Sequence, residues 1–248
     1  MSPAPSLREV VTREVTGRQL ATHLPRRPTR VLDVGSGDDA LRLARAGHEV
    51  LAVEPDQHRR RSLLLALEDD PAAVRSRVRV ADGALGGLAD VVGAQRFDVV
   101  TCHAGLGDAP RDAVVELCDL VGPGGVVSLV TRNADGMALR PAAERRWADA
   151  LDLLGSADDP EPRYVDGAAV PVRAYRLEEL ASFVAGRRMH VEAWYGIGLL
   201  TDLGPALVAP ADDDELDAVL AAEELAGRTD PYRRVAPLMH LIGRRATS

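Results

Sequence analysis

The stretch RVLDVGSGDDALRLARAGHEVLAVEPD, residues Arg30 to Asp56, constrains this chain more than any other. An apolar run enters a glycine-rich turn, a helical pattern follows, and a second apolar run ends in an acid. That order is a βαβ unit with a tight turn after its first strand, and it implies a parallel sheet. Its strands read as nearly continuous apolar runs, as strands buried on both faces must. The pattern repeats: strands are expected at Arg30–Val34, Glu49–Val53, Val78–Ala81, Phe97–His103 and Gly125–Thr131. Helices are expected at Ser6–Leu24, Ala40–Ala46, Gln57–Leu67, Ala84–Val92 and Arg111–Val121. In the last of these, Val114, Leu117, Cys118 and Val121 form one apolar face.

After the fifth strand the alternation breaks. The segment 134–174 contains Pro141, Pro160, Pro162 and Pro171 and reads as an inserted lid on the substrate side. A helix at Leu177–Ala185 and a strand at His190–Tyr195 resume the pattern, and a strand at Leu238–Ile242 follows a helix opened by the acid run Ala211–Glu215. The expectation is one domain over residues 1–248, with 1–28 as an amino-terminal helical cap.

Gly35, Gly37 and Ala40 satisfy the loose fingerprint G-x-G-x-x-A, and Glu54 follows Gly35 by nineteen residues. Dinucleotide folds share that spacing. Charge separates the candidates. A diphosphate would sit at the amino end of the helix after the turn, and that end carries Asp38 and Asp39. Like charges a few ångströms apart cost about 1–4 kcal/mol per pair. One of the two aspartates is expected to cap the helix as well. S-adenosylmethionine has no phosphate, and its sulfonium and ammonium groups are cationic. Asp33 precedes the turn in the order D-x-G-x-G. Glu54 ends the second strand, where a carboxylate accepts from ribose hydroxyls. Asp82-Gly83 ends the third, where a carboxylate accepts from an adenine amino group. S-adenosylmethionine, leaving S-adenosylhomocysteine, is the expected cofactor.

Composition matters where it reweights single residues. The net charge of −8 gives no support for a DNA-binding footprint. All 30 basic residues are arginine, and isoleucine occurs only at Ile197 and Ile242, a bias expected of a GC-rich genome. Arginine doublets such as Arg233-Arg234 therefore read as solvated faces. Cys102 and Cys118 match no metal spacing and read as reduced thiols. No apolar run approaches the roughly 18 residues of a membrane span. The opening MSPAPSLREV shows no basic-then-apolar leader, so a cytoplasmic location is expected.

These residues resemble the class I S-adenosylmethionine-dependent methyltransferases, and more narrowly the family that methyl-esterifies 5-carboxymethoxyuridine at the tRNA wobble position. VLDVGSG is similar to that family's VLDAGGG, and RAGHEVLAVEPD follows its ERGHQV pattern. FDVVTCHAGL resembles VDLILFHAVL, LVGPGGVVSLVTRNADGM resembles LRPGGVLSLMFYNAHGL, and DPYRRVAPLMHLIGR resembles EPY…H…AR. The resemblance implies a Rossmann-like seven-stranded methyltransferase fold, a mostly parallel sheet with helices on both faces. It implies cofactor contacts from Arg8, Gly35, Ser36, Glu54, Asp82, Gly83 and His103; Asp33 and Gly37 of the same turn complete the expected set. Departures fall in the substrate half. Asp39 replaces the third glycine of the turn, and G-V-R-V-F-x-D reads here as Gly196 to Asp202, with Gly198 for the arginine and Leu200 for the aromatic. The arginine expected before the last strand falls at Pro237.

Methyl transfer is thus better supported than tRNA as its acceptor. A carboxylate acceptor needs no base but needs a cation to hold it. Arg132 is the candidate, with Asn133 beside it and Arg140 and Arg163 in the insertion. For a hydroxyl or amine acceptor His103 is the natural proton acceptor. Expected partners are a small-molecule or tRNA acceptor, with no membrane and no metal; the oligomeric state stays open. Two other functions fit the same residues: an NAD(P)-dependent oxidoreductase, and a non-catalytic S-adenosylmethionine-binding protein.

Overall fold

Ser6 starts the first helix, α1 (Leu7–Ala21), with a reciprocal cap. Its hydroxyl accepts from Glu9 N at 3.3 Å, and the Glu9 carboxylate accepts from Ser6 N at 2.7 Å. The computed structural model describes residues 6–35, 37–107, 109–110, 112–155, 163–165, 171–202 and 212–247. It divides into two compact units. The first comprises Met1–Thr22, Thr131–Glu179 and Trp194–His240; the second comprises His23–Val130, Leu180–Ala193 and Leu241–Ser248.

The second unit holds the repeated βαβ pattern. Its strands are β1 (Arg30–Val34), β2 (Glu49–Val53), β3 (Val78–Ala81), β4 (Phe97–Cys102) and the first part of β5 (Val121–Asn133). The order is β3-β2-β1-β4-β5, every pairing parallel. Helices α2 (Asp38–Arg45), α3 (Gln57–Glu68), α4 (Ala72–Arg75), α5 (Leu88–Val92) and α6 (Ala113–Asp119) flank the sheet. Val31, Leu32, Val99, Val100, Val126 and Val127 are fully buried, which explains the apolar runs. The strand order reverses at β1, so the crevice for a ligand opens at the carboxyl ends of β1 and β4. β5 begins four residues earlier than expected and takes in the GPGG turn. A side chain at Gly125 would meet Asp98 O at 2.8 Å, so the strands approach too closely there for any other residue.

In the first unit the segment after β5 is more regular than its prolines imply. It forms α7 (Leu139–Ala143), α8 (Trp147–Gly155) and an antiparallel pair, β6 (Arg163–Val165) and β7 (Pro171–Tyr175). β7 also runs parallel to the end of β5 at Arg132 and Asn133. These two strands add to the seven the sequence marks. After α9 (Leu177–Ala185), β8 (Met189–Ile197) and β9 (Leu238–Arg245) pair with each other, and β9 with β5. The acid run opens α10 (Asp213–Gly227) as expected, with Asp212 accepting from Glu215 N at 2.9 Å. Leu199, Ala226 and Ala236 form a small core beneath it. No helix among the described residues is long and apolar enough to cross a membrane.

Candidate functional site

At the carboxyl ends of the parallel strands of the second unit lies a cavity of about 330 Å3. Gly35 after β1, Glu54 after β2, Ala84 and Leu85 after β3, and Ala104 and Gly105 after β4 all line it. Gly35 is at φ +79°, and a Cβ there would stand 3.1 Å from Ala104 O. Both facts demand glycine. The bare backbone lets the β1 turn lie against the end of β4, while Gly35 N donates to Val53 O at 2.9 Å. Glu54 is only 4% exposed, and its Oε1 accepts from Asp56 N at 2.9 Å. Among the described residues Oε2 has no hydrogen-bond partner, so one carboxylate oxygen is open. A second cavity, about 290 Å3, shares Glu54 and Arg59 with the first and reaches Gly37 and Asp38. Arg59 and Asp56 line the main cavity although the sequence reading passed over them. The available signal was the helix start directly after Glu54, where Asp56 accepts from Arg59 N at 2.8 Å.

Other expected residues do different work. Asp33 is buried and accepts from Thr101 Oγ1 at 2.6 Å, tying β1 to β4. Asp82 is exposed, pairs with Arg60 at 2.7 Å, and is not among the residues lining the cavity. Arg60 also donates to Glu54 O and Pro55 O, stitching the ends of β2 and β3. Gly83 is small because a Cβ would meet Val91 Cγ2 at 2.7 Å and Val53 Cγ1 at 2.9 Å. Ser36 lies outside the described residues.

The expectation that Asp38 or Asp39 caps α2 is not met. Gly37 is the N-cap, at φ +59°, and no side chain caps the helix. Asp38 is exposed, whereas Asp39 turns inward. There it meets Arg42 and accepts from His103 Nδ1 at 2.6 Å. His103 Nε2 lies 2.7 Å from Ser128 Oγ on β5. An ionised carboxylate only accepts, so Nδ1 carries the proton toward Asp39, while Nε2 is held by the Ser128 hydroxyl. Asp39, His103 and Ser128 form one buried polar chain with half-buried Arg42 at its outer end, and both ring nitrogens of His103 are engaged. The charge that the sequence places against a diphosphate rests on exposed Asp38, because Asp39 is balanced.

No protein-family model matches this sequence, and no curated protein matches it. Solved structures do. Magnesium protoporphyrin IX methyltransferase from Synechocystis, with bound S-adenosylhomocysteine, superposes with a TM-score of 0.60 at 12% identity, covering 99% of this chain and 90% of that one. An S-adenosylmethionine-dependent methyltransferase from Methanosarcina mazei gives 0.59 at 14%, covering 93% and 98%. A Burkholderia thailandensis 1,6-didemethyltoxoflavin-N1-methyltransferase gives 0.55 at 16%, covering 96% and 79%. The fold is the Rossmann-like methyltransferase fold. At these identities the likeness establishes the fold and nothing finer.

The first unit of this methyltransferase fold gathers the remaining expected residues. Arg8 on α1 pairs with buried Asp202 at 2.7 Å, and Arg140 Nη1 lies 3.8 Å from the same carboxylate. Arg140 also donates to Glu144 at 3.0 Å. Asn133 is buried, with Nδ2 donating to Arg234 O and Ala236 O at 2.8 Å each and Oδ1 accepting from Asp135 N. Its polar atoms hold a loop. Arg132 is half-buried, beside Ala174 in the β5–β7 pairing; for Arg163, in β6, only the backbone is described. Glu223 was missed altogether. It is 1% exposed, and one oxygen accepts from Leu200 N, Thr201 N and Thr201 Oγ1 at 2.8–3.0 Å. An acid inside a helix more than twenty residues downstream gives no local sign of that partnership. In the second unit, burial pushes the Cys102 and Cys118 thiols up to about 12, so both stay protonated and inert. Among the described residues no group of three or more His, Cys, Asp or Glu side chains could hold a metal ion.

Proposed function

We propose that this chain is an S-adenosylmethionine-dependent methyltransferase that methylates a carboxylate or other oxygen of a modified tRNA base or small metabolite. The observation that carries the proposal is Glu54, buried at the end of β2 with one open oxygen, in the same cavity as the left-handed Gly35 turn. A single open carboxylate oxygen between apolar walls suits a ribose diol and a purine; Pro55, Ala84, Leu85 and Pro110 supply those walls. Nothing in this donor set resembles a diphosphate cradle, since exposed Asp38 stands at the start of α2. The residues present therefore fit an adenosyl cofactor.

Bound there, S-adenosylmethionine brings a methyl group already activated by the sulfonium. Glu54 would orient the ribose, the Gly35–Gly37 turn would admit the methionyl portion, and Ala84 and Leu85, directly after Asp82-Gly83, would border the adenine. The resemblance alone assigns Arg8 to the methionyl carboxylate; in the structure Arg8 pairs with Asp202. Alignment is then the main task, and a near-attack arrangement supplies roughly 7–11 kcal/mol. Arg132 and Arg140 are the acceptor-side cations; the Asn133 side chain is already committed to its loop. With both nitrogens of His103 hydrogen-bonded, a carboxylate acceptor, which asks for no base, fits better than a hydroxyl or amine. The tRNA part of the proposal rests on the sequence resemblance alone.

Calorimetry tests the cofactor. S-adenosylhomocysteine is expected to bind, and Glu54→Ala to weaken it by about 10–100-fold, as loss of hydrogen bonds to a charged group requires. Binding of NAD or NADP without S-adenosylhomocysteine would overturn the proposal in favour of an oxidoreductase. Radiolabelled methyl transfer to total tRNA and to a metabolite extract then separates the acceptors. Cofactor binding with no transfer to either would leave a non-catalytic binding protein.

A further inference from the structure

The opposite ends of the same strands carry a cavity of their own. At the amino ends of β1 to β4 lies an open hollow of about 240 Å3, lined by residues that include Arg30, Glu49, Leu51, Arg77, Arg79 and Phe97. The strand register explains the clustering. Arg30 pairs with Glu49, and Leu51 with Arg79. Side chains alternate along a strand, so Arg30, Glu49, Leu51, Arg77 and Arg79 fall on one face of the sheet.

Elsewhere in this unit Arg42, Arg45 and Arg60 each pair with a carboxylate, that of Asp39, Asp70 and Asp82 in turn. Among the described residues the three arginines of this hollow pair with none. Arg30 Nη2 donates to Arg96 O at 2.8 Å. Among the described residues, Arg77 and Arg79 make no side-chain hydrogen bond or ion pair, and Glu49 makes none either. Three arginines and one glutamate line the hollow, an excess of two positive charges among its lining residues, with the Asp98 carboxylate beside it accepting from Arg30 N at 2.9 Å. Like charges held together in a concavity focus a field on any anion that enters. The planar guanidinium fork matches phosphate oxygens in pairs.

We propose that this cavity binds a phosphate-bearing ligand, with a diphosphate group as the part recognised. Its volume lies below the roughly 300–1,000 Å3 of pockets that enclose a whole drug-sized molecule. It suits a diphosphate head and leaves the rest of the ligand outside. Arg77 and Arg79 are the principal contacts, Arg30 is the third cation, and Glu49 limits the excess charge. The site is separate from the cofactor cavity, because the five residues of β1 at about 3.3 Å each put roughly 16 Å between them. It stands whether or not the cofactor proposal does.

Isothermal titration of the full chain with inorganic pyrophosphate at low salt tests it. Saturable binding is expected, at least tenfold weaker in Arg77→Ala/Arg79→Ala and tighter in Glu49→Gln. S-adenosylhomocysteine is expected not to compete. Arg79 is exposed and Arg77 only half-buried, so the double variant is expected to keep its circular dichroism spectrum and melting temperature; Glu49→Gln gives an independent reading should it not. Absence of pyrophosphate binding, equal affinity in the double variant, or displacement by S-adenosylhomocysteine would each overturn the proposal. A short single-stranded RNA in the same titration identifies the source. Tighter binding than pyrophosphate, lost with the same arginines, would overturn the diphosphate reading in favour of a nucleic-acid backbone; weaker binding supports a metabolite's diphosphate.

Discussion

Removing the Asp39 carboxylate should unsettle the second unit more than its place in a surface helix implies. The Asp39 and His103 side chains are 8% and 7% exposed, and that of Arg42 is 34% exposed. In Asp39→Ala, His103 Nδ1–H stays buried with no acceptor, at about 1–3 kcal/mol. Arg42 rehydrates, so its lost ion pair costs less than about 1 kcal/mol. An acid missing from the first turn of α2 adds about 0.3–1 kcal/mol. The expected loss is therefore about 1–5 kcal/mol. Asp39→Asn keeps the volume and one acceptor, which serves either His103 or Arg42, and should lose about half as much. Urea unfolding should show lowered midpoints at an unchanged slope. The Asp39→Ala, His103→Ala cycle should return a coupling of about 0.5–3 kcal/mol. A loss under about 0.5 kcal/mol in Asp39→Ala, the range of an ordinary surface substitution, or a coupling of zero would refute the buried polar chain.

Three further outcomes follow from other parts of the fold. Since all three donors reach the same oxygen of Glu223, Glu223→Gln should unfold within about 1 kcal/mol of wild type and Glu223→Ala roughly 3 kcal/mol below it; equal losses would contradict this. Gly35→Ala should cost about 1–2 kcal/mol from its left-handed backbone and abolish S-adenosylhomocysteine binding in calorimetry, because its Cβ presses on Ala104 O. Arg244 holds the Glu192 carboxyl below the ordinary glutamate range, against the opposing effect of burial, with His23 assisting. A depressed folded value means the contribution is complete above the unfolded value and is lost as pH falls through the folded one. Melting temperatures of Glu192→Gln should therefore converge on wild type as pH drops below about 5; a constant gap would count against the clamp.

Much of the second unit was legible in the chain itself. Strands buried on both faces must be nearly continuous apolar runs, so β1, β2 and β4 could be placed almost to the residue. A left-handed turn pressed against a neighbouring strand admits only glycine, so Gly35 announced itself. Glu54 was legible because an acid closing a buried strand has few places to go. The β6–β7 pair was not, because three- and five-residue strands among prolines leave no periodic signal.

What the sequence determined by itself was therefore the succession of strands and helices along the chain and the chemical character of the crevice, all matters of local pattern. Which carboxylates stay available was decided only by tertiary structure. Asp33, Asp39 and Asp82 found Thr101, His103 and Arg60 as partners, the first two across 68 and 64 residues of chain. Glu54 lines the cavity and, among the described residues, kept one carboxylate oxygen without a hydrogen-bond partner. Hydrogen bonds and ion pairs act over a few ångströms of space, and neither neighbourhood in sequence nor residue type records which donors a fold brings within that reach.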